Sequence, residues 1–300
     1  MAKTIAVLTS GGDAPGMNAA VRAVARAALS KGIKVYGVRR GYNGLLNGDV
    51  FEMNLRSVSD ILSKGGTVLY TARSPEFNTK EGVKKAADNC RKLGIDGVVV
   101  IGGDGSFRGA RDLTGEGIPC IGVPGTIDND ISSSDYTIGF DTAMNTAMEM
   151  IDKIRDTAQS HDRCSVVEVM GRRCGDIALE VGIAIGASAI LVPEVPYDLK
   201  KDVIDVLLKN RETGKKHFII VVAEGIGGID GIVKEIEAQT GIETRGTVLG
   251  HVQRGGSPTL RDRVVVMKDN NIVDYDISEA LAMKKQFNTK LFNIAHEISI

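Results

Sequence analysis

Tryptophan is absent from the 300 residues, and aromatic residues make up only 4% of them. Surfaces that stack the bases of single-stranded nucleic acid are built from aromatic side chains, so this composition argues against such a partner. Charge of one sign is missing too. With 37 basic against 38 acidic residues, nothing in the balance points to nucleic acid or to an anionic membrane. No apolar run reaches the roughly eighteen residues a membrane helix needs, and the opening Met1–Ile5 reads as the start of a strand rather than a targeting signal. Cys90, Cys120, Cys164 and Cys174 fall into no metal-ligand spacing and are too few for a disulfide scaffold. The expectation is a cytoplasmic protein with reduced thiols. Low-complexity segments and short repeats are also lacking. What is present is 43% hydrophobic residues, enough to bury a core in two lobes.

Short apolar runs alternate with helical patterns. Ile5–Leu8 leads into a glycine loop and then a helix rich in Ala and Val over Met17–Ser30. Further strands are expected at Val35–Val38, Val98–Ile101 and Cys120–Val123. A helix over Thr142–Gln159 precedes strands at Ser165–Val169, Ala189–Val192, Phe218–Val222 and Thr247–Leu249. Continuous β-branched runs separated by helices predict parallel sheets covered on both faces. The fold class is α/β, with a similar strand–loop–helix rhythm in each half. In such sheets ligands bind beyond the carboxyl ends of strands.

Three loops carry chemistry. Ser10–Asn18 joins a strand to a helix N-terminus, a place suited to anions, but lacks the Gly-Lys-Ser/Thr of a Walker loop. Glycine there also has an ordinary packing explanation. Gly102-Gly103-Asp104-Gly105-Ser106 sets bare backbone around one carboxylate: amides can approach phosphate while Asp104 holds Mg²⁺. Pro124-Gly125-Thr126-Ile127-Asp128-Asn129-Asp130 packs two carboxylates two residues apart, where a helix cap would need only one. Phosphate-binding amides, a metal carboxylate and a second carboxylate to take a hydroxyl proton are the parts of a small-metabolite kinase. A sugar-phosphate dianion would call for arginine forks, and Arg163, Arg172, Arg245 and Arg254, with His251, are candidates.

Taken together, the loops closely resemble the bacterial-type ATP-dependent 6-phosphofructokinase family. The likeness runs from Thr4 to about Arg263 and resumes from about Asn270 to Ile300. The resemblance implies two similar Rossmann-like parallel-sheet lobes with the active site in the cleft between them. An ATP-binding lobe would comprise residues 1–139 and 257–300, and a sugar-phosphate lobe residues 140–256. It implies transfer of the ATP γ-phosphate to O1 of fructose 6-phosphate. Asp128 would be the general base, with Thr126 and Asp130 beside it, and Asp104 the Mg²⁺-associated acid. Gly12, Arg73, Ser74, Gly103, Asp104, Gly105 and Ser106 match ATP-binding positions, and Arg73 is suited to charge on the transferring group. Thr126, Ile127, Asp128, Met170, Gly171, Arg172, Glu224, His251, Val252, Gln253 and Arg254 match sugar-phosphate positions. Arg163 and Arg245 match arginines supplied by a neighbouring subunit, so a homotetramer is implied. Pyrophosphate-using relatives carry Asp and Lys where this chain has Gly105 and Gly125, which implies ATP as donor.

An allosteric site for ADP or phosphoenolpyruvate is implied by Arg22 and Arg26, one helical turn apart, with Arg155, Gly186, Lys215, Lys216 and His217. Ser188 stands where that family has a glutamate, and Thr213 and Leu55 replace usually basic residues, so phosphate binding there is expected to be weakened or altered. After Arg263 the family has a long helix before a strand. Here Val264–Met267 stands at once in the strand's place, ahead of Lys268–Asn271, so roughly twenty residues, about 30 Å of helix, are missing. The expectation is a less covered face on the first sheet. Two competing readings remain: a nucleotide or lipid kinase sharing the Gly-Gly-Asp-Gly loop, which leaves Asp128 and Gly250–Gly256 unexplained, and a non-catalytic effector-binding relative, against which the intact Asp104, Asp128 and Arg172 argue.

Overall fold

The computed structural model describes residues 3–132 and 134–268. They fall into two compact units, each with its own sheet: residues 3–126, 130–132, 134–138 and 263–268 form one, and residues 127–129 and 139–262 the other. The Asn270–Ile300 part of the family likeness lies outside the described residues.

The first unit contains β1 (Thr4–Ser10), α1 (Met17–Ser30), β2 (Lys34–Val38), α2 (Tyr42–Asn47), β3 (Val50–Met53), α3 (Lys80–Lys92), β4 (Gly97–Gly102), α4 (Asp104–Gly115) and β5 (Cys120–Pro124). Strand order is β3-β2-β1-β4-β5, with β2, β1, β4 and β5 parallel and β3 antiparallel at the edge. The β-branched run Val98–Ile101 is buried throughout, as a strand covered on both faces requires. α3 shows how local sequence builds a helix here. Thr79 Oγ1 accepts the Gly82 N–H at 3.0 Å, Glu81 lies in the first turn and Arg91 and Lys92 in the last. Val83, Ala86, Ala87 and Cys90 then recur at helical spacing and face the core.

β1 connects to β2 on one side, and β4 connects to β5 on the other. The two parallel neighbours therefore send their loops apart, leaving a crevice at their carboxyl ends. Ser10 and Gly102 are the last register partners, so the Gly11 and Gly103 loops emerge side by side.

The second unit contains α5 (Phe140–Ser160), β6 (Cys164–Val169), α6 (Asp176–Ala184), β7 (Ala189–Leu191), α7 (Asp205–Glu212), β8 (Phe218–Ala223), α8 (Ile229–Thr240) and β9 (Thr244–Val248); α9 (Leu260–Lys268) follows, its residues from Arg263 on belonging to the first unit. Its sheet is parallel throughout, ordered β7-β8-β6-β9, over a core that includes Val166, Phe218, Ile220, Val222 and Ile236. Val169 pairs with Ala223 and Glu168 with Val248, so the loops after β6, β8 and β9 leave from one edge.

Two expectations need correction. Val264–Met267 is helical, not a strand, because Thr259 Oγ1 accepts the Asp262 N–H at 3.4 Å and starts α9 directly ahead of that β-branched run. The last strand of the second sheet is Thr244–Val248 rather than Thr247–Leu249, since pairing with β6 begins at Cys164–Thr244. Among the described residues, Ile5, Val98, Val99, Pro119 and Ile121 line an apolar cavity of about 430 Å³ on the first sheet, and Ile121 is 36% exposed.

Candidate functional site

In the first unit the glycine loops are forced together. A Cβ on Gly102 would lie 2.5 Å from the Ser10 carbonyl oxygen and 2.5 Å from Ser106 Oγ, so only glycine fits. Gly103 caps α4, its carbonyl accepting the Ser106 and Phe107 N–H groups, and Asp104 and Gly105 open the helix with N–H groups that have no partner within it. This is a positive end facing any phosphate at the crevice. Asp104 is paired with Arg108 at 2.8 Å, with side chains 45% and 69% exposed, a contact of little strength in water. The carboxylate therefore remains open to a metal ion. Neither Gly102 nor Gly105 is left-handed, but at Gly105 a Cβ would meet no atom of the described residues within 4 Å. Neither folding nor packing requires glycine at that position.

Residues that the sequence reading did not single out hold this crevice in shape. The Tyr42 hydroxyl donates to the Ser106 carbonyl at 2.6 Å, and its ring stacks on Phe77 with centroids 3.9 Å apart. The segment carrying Arg73 and Ser74 is fastened from three sides. Buried Asn18 donates to the Lys64 and Gly65 carbonyls and accepts from Val68 N. Thr9 Oγ1 meets Thr67 Oγ1 and the Tyr70 carbonyl, and Thr71 Oγ1 donates to the Gly11 carbonyl at 2.6 Å, next to Gly12. The Arg73 carbonyl itself accepts from Asn43 Nδ2. Ser74 Oγ is buried without a hydrogen-bond partner among the described residues. These contacts link positions 30 to 64 residues apart, so the one local signal was the scarcity of aromatics, which makes any Tyr–Phe pair worth noting.

In the second unit the shared edge of β6, β8 and β9 collects most of the sugar-phosphate positions. Glu224 Oε2 accepts the Arg172 N–H at 3.0 Å, and Gln253 Oε1 accepts the Met170 N–H at 2.9 Å. Gln253 is fully buried and its Nε2 has no hydrogen-bond partner among the described residues; such an orphaned donor asks for a ligand or water. The Gly250–Arg254 turn brings His251 Nδ1 within 3.5 Å of Arg254 Nη1, with Val252 exposed beside them. Gly171 is buried and Arg172 takes a left-handed φ of 54°, uncommon for a side-chain-bearing residue and concentrated at functional sites. Asp128, 8% exposed, places Oδ2 4.0 Å from Arg172 Nε. Ile127 is buried; Thr126 and Asp130, which belong to the first unit, are half-buried, and the Thr126 carbonyl accepts from Thr137 Oγ1. Behind this edge, burial and then the nearby Glu224 and Asp230 push the Glu168 carboxyl above its ordinary range.

Arg163 and Arg245 are not part of that edge. They sit at the amino ends of β6 and β9, some 17 Å of strand away, and both bind Glu243, at 2.8 and 2.6 Å. The Arg163 hydrogen bond, with Arg245, holds the Glu243 carboxyl below its usual range. The same amino edge carries several effector candidates. Arg155 donates to the Ile185 carbonyl beside Gly186, and Lys215 Nζ reaches Ser188 Oγ at 3.1 Å. Lys215 and Lys216, with Arg211, Asp162 and Glu243, line a cavity of about 370 Å³, and His217 precedes β8. In the first unit Arg22 is half-buried and Arg26 exposed on α1. Leu55 and Thr213 are exposed.

Glycine-rich strand ends beside an N-terminal helical carboxylate, and an arginine–carboxylate edge on a second parallel sheet, define an α/β protein built to hold phosphate groups. The family described as Phosphofructokinase matches residues 4–269, and the chain belongs to that family. A Clostridium tetani protein named ATP-dependent 6-phosphofructokinase is 55% identical, covering 99% of each chain. That alignment spans 318 positions against the 300 residues here, so at least 18 positions of it have no counterpart in this chain. The phosphofructokinase of Saccharomyces cerevisiae superposes with a TM-score of 0.82 at 40% identity, over 95% of this chain and 41% of that longer one. The phosphofructokinase of Pichia pastoris gives a TM-score of 0.82 at 39% identity, over 89% and 33%. No helix among the described residues is long and apolar enough to cross a membrane.

Proposed function

We propose that this chain is an ATP-dependent 6-phosphofructokinase that moves the γ-phosphoryl group of ATP to O1 of fructose 6-phosphate, giving fructose 1,6-bisphosphate and ADP, as a cytoplasmic enzyme of glycolysis. The observation that carries the reading is the buried Asp128 carboxylate facing Arg172, on the edge shared by Met170, Glu224 and Gln253.

The first unit binds the nucleotide: Gly12, Gly103, Gly105 and Ser106 bring backbone and hydroxyl to the phosphates, with Arg73 and Ser74 alongside. Asp104 fits Mg²⁺, because that ion is usually held by one or two carboxylates together with substrate phosphates rather than by a protein cage. When bound, the ion neutralises charge on the β- and γ-phosphates. The second unit binds the sugar phosphate through Arg172, His251, Arg254 and Glu224. Asp128 accepts the O1 proton as the bond to phosphorus forms, a step that asks little basicity in a loose transition state. Arg172 and Arg73 offset the negative charge, and Thr126 and Asp130 complete the acceptor loop. Open space at Gly105 supports a nucleotide as donor.

Arg163 and Arg245, on the opposite edge from the rest of the sugar-phosphate positions, complete the site of a neighbouring copy, so the working enzyme is a homotetramer. Arg22, Arg26, Arg155, Gly186, Lys215, Lys216 and His217 take ADP or phosphoenolpyruvate; with Lys215 engaged by Ser188, that binding is weak.

A coupled assay with Mg²⁺ and fructose 6-phosphate tests the donor. ATP is expected to support turnover and pyrophosphate to give none above background; faster turnover with pyrophosphate would overturn the assignment.

A further inference from the structure

Asp128 sits in a loop whose next residue takes an unusual backbone. Asn129 has a φ of 51°, in the left-handed region that Asn tolerates better than most side chains. Its Nδ2 donates to Asp176 Oδ2 at 3.0 Å, across 47 residues of sequence. Asp176 is the first residue of α6 and directly follows the loop that carries Met170, Gly171 and Arg172. It is itself firmly seated. The preceding Gly175 N–H donates to Glu194 Oε1 at 2.8 Å, and a Cβ on Gly175 would lie 2.5 Å from Val192 Cβ, so the start of α6 packs tightly on the segment after β7.

We infer that Asn129 and Asp176 are a positioning pair for the reaction: their hydrogen bond ties the Asp128 loop to the Arg172 loop and sets the distance between base and guanidinium. The inference rests on the reading of Asp128 as general base. Neither residue touches the reacting atoms. The chemistry is directional, with an amide donating to a carboxylate, and a charge-assisted bond of this kind is strong enough to select one loop conformation among several. Displacement of a reacting group by about 1 Å costs roughly a hundredfold in rate, so loss of the pair shows in turnover more than in nucleotide affinity.

The pair can be reversed. Asn129→Asp sets two carboxylates against each other; adding Asp176→Asn restores a donor facing an acceptor with the roles exchanged. In the full chain, assayed with ATP, Mg²⁺ and fructose 6-phosphate, Asn129→Asp is expected to lower kcat about 30-fold while the KM for ATP stays within about twofold. The double variant is expected to recover to within about fivefold of the parent. Turnover by Asn129→Asp equal to the parent, or a double variant as slow as the single one, would overturn the pair. If Asn129→Asp fails to fold by circular dichroism, Asn129→Gly decides, since it keeps the left-handed backbone and removes only the amide. A kcat at least about fivefold lower supports the pair, and an unchanged kcat overturns it. Asp128→Asn in the same assay separates the two ideas. Parental turnover there removes the base and the pair together, whereas a slow Asp128→Asn beside a fully active Asn129→Asp removes the pair alone.

Discussion

Ser10 and Gly102 close the register of two adjacent parallel strands so tightly that a Cβ on Gly102 would stand 2.5 Å from the Ser10 carbonyl oxygen. Gly105, three residues on, has open space. The two glycines therefore predict opposite phenotypes. Gly102→Ala must push backbone or Ser106 aside and is expected to cost about 1–3 kcal/mol in urea unfolding. Gly105→Asp is expected to leave stability unchanged or slightly raised, since an acid in the first turn suits the helix, while raising the KM for ATP about tenfold or more by repelling the phosphates. Equal stability of the two variants would contradict the packing argument.

Asp262 holds the start of α5. Its fully buried carboxylate accepts from the Gly139 N–H at 2.9 Å, the Thr142 N–H at 2.9 Å and the Thr142 hydroxyl. Burial pushes this carboxyl up against the opposite pull of those hydrogen bonds. Asp262→Ala leaves several donors unsatisfied and is expected to destabilise the chain by about 2–4 kcal/mol, read as a lower urea midpoint.

Glu243 gives a pH signature. Its carboxyl is held low by Arg163 first and Arg245 second, so folding favours the ionised form. That contribution is present above the ordinary value of 4.5 and disappears as pH falls below it through the folded value. Urea midpoints compared at about pH 6 and about pH 3.5 should therefore fall more for the parent than for Glu243→Gln. Identical falls would place the acid sensitivity elsewhere.

The thiols are expected to be inert. Burial raises Cys90, Cys164 and Cys174 to about 12 and Cys120 to about 11, so little thiolate exists near neutral pH. A disulfide reagent at about pH 8 should label the native chain slowly and the urea-unfolded chain fully, with four groups titrated. Rapid labelling of the native chain would contradict this.

Much of this was legible in the sequence because it is local. The run Val98–Ile101 can satisfy its backbone and bury its branched side chains only as an interior strand, and the Ala-rich segment Met17–Ser30 matches α1 residue for residue. Asp104 and Asp128 stood out as candidates because glycines and paired carboxylates are conspicuous at short range. The edge strand Val50–Met53 was not seen: four residues with Glu52 outward carry almost no periodic signal. Val264–Met267 was placed as a strand by the family likeness alone, whereas the Thr259 cap and the buried Asp262 start a helix. Strand order is written nowhere along the chain, so the separation of Arg163 and Arg245 from Arg172, and contacts such as Tyr42–Ser106, emerge only once the sheets are assembled.

Everything turns on Asp128 accepting a proton from O1. The most direct measurement is kcat of Asp128→Asn with ATP, Mg²⁺ and fructose 6-phosphate, alongside the dissociation constants of both substrates. The predicted result is a kcat lower by about 10²–10⁴-fold with substrate binding within about threefold of the parent. A kcat within about threefold of the parent would contradict it.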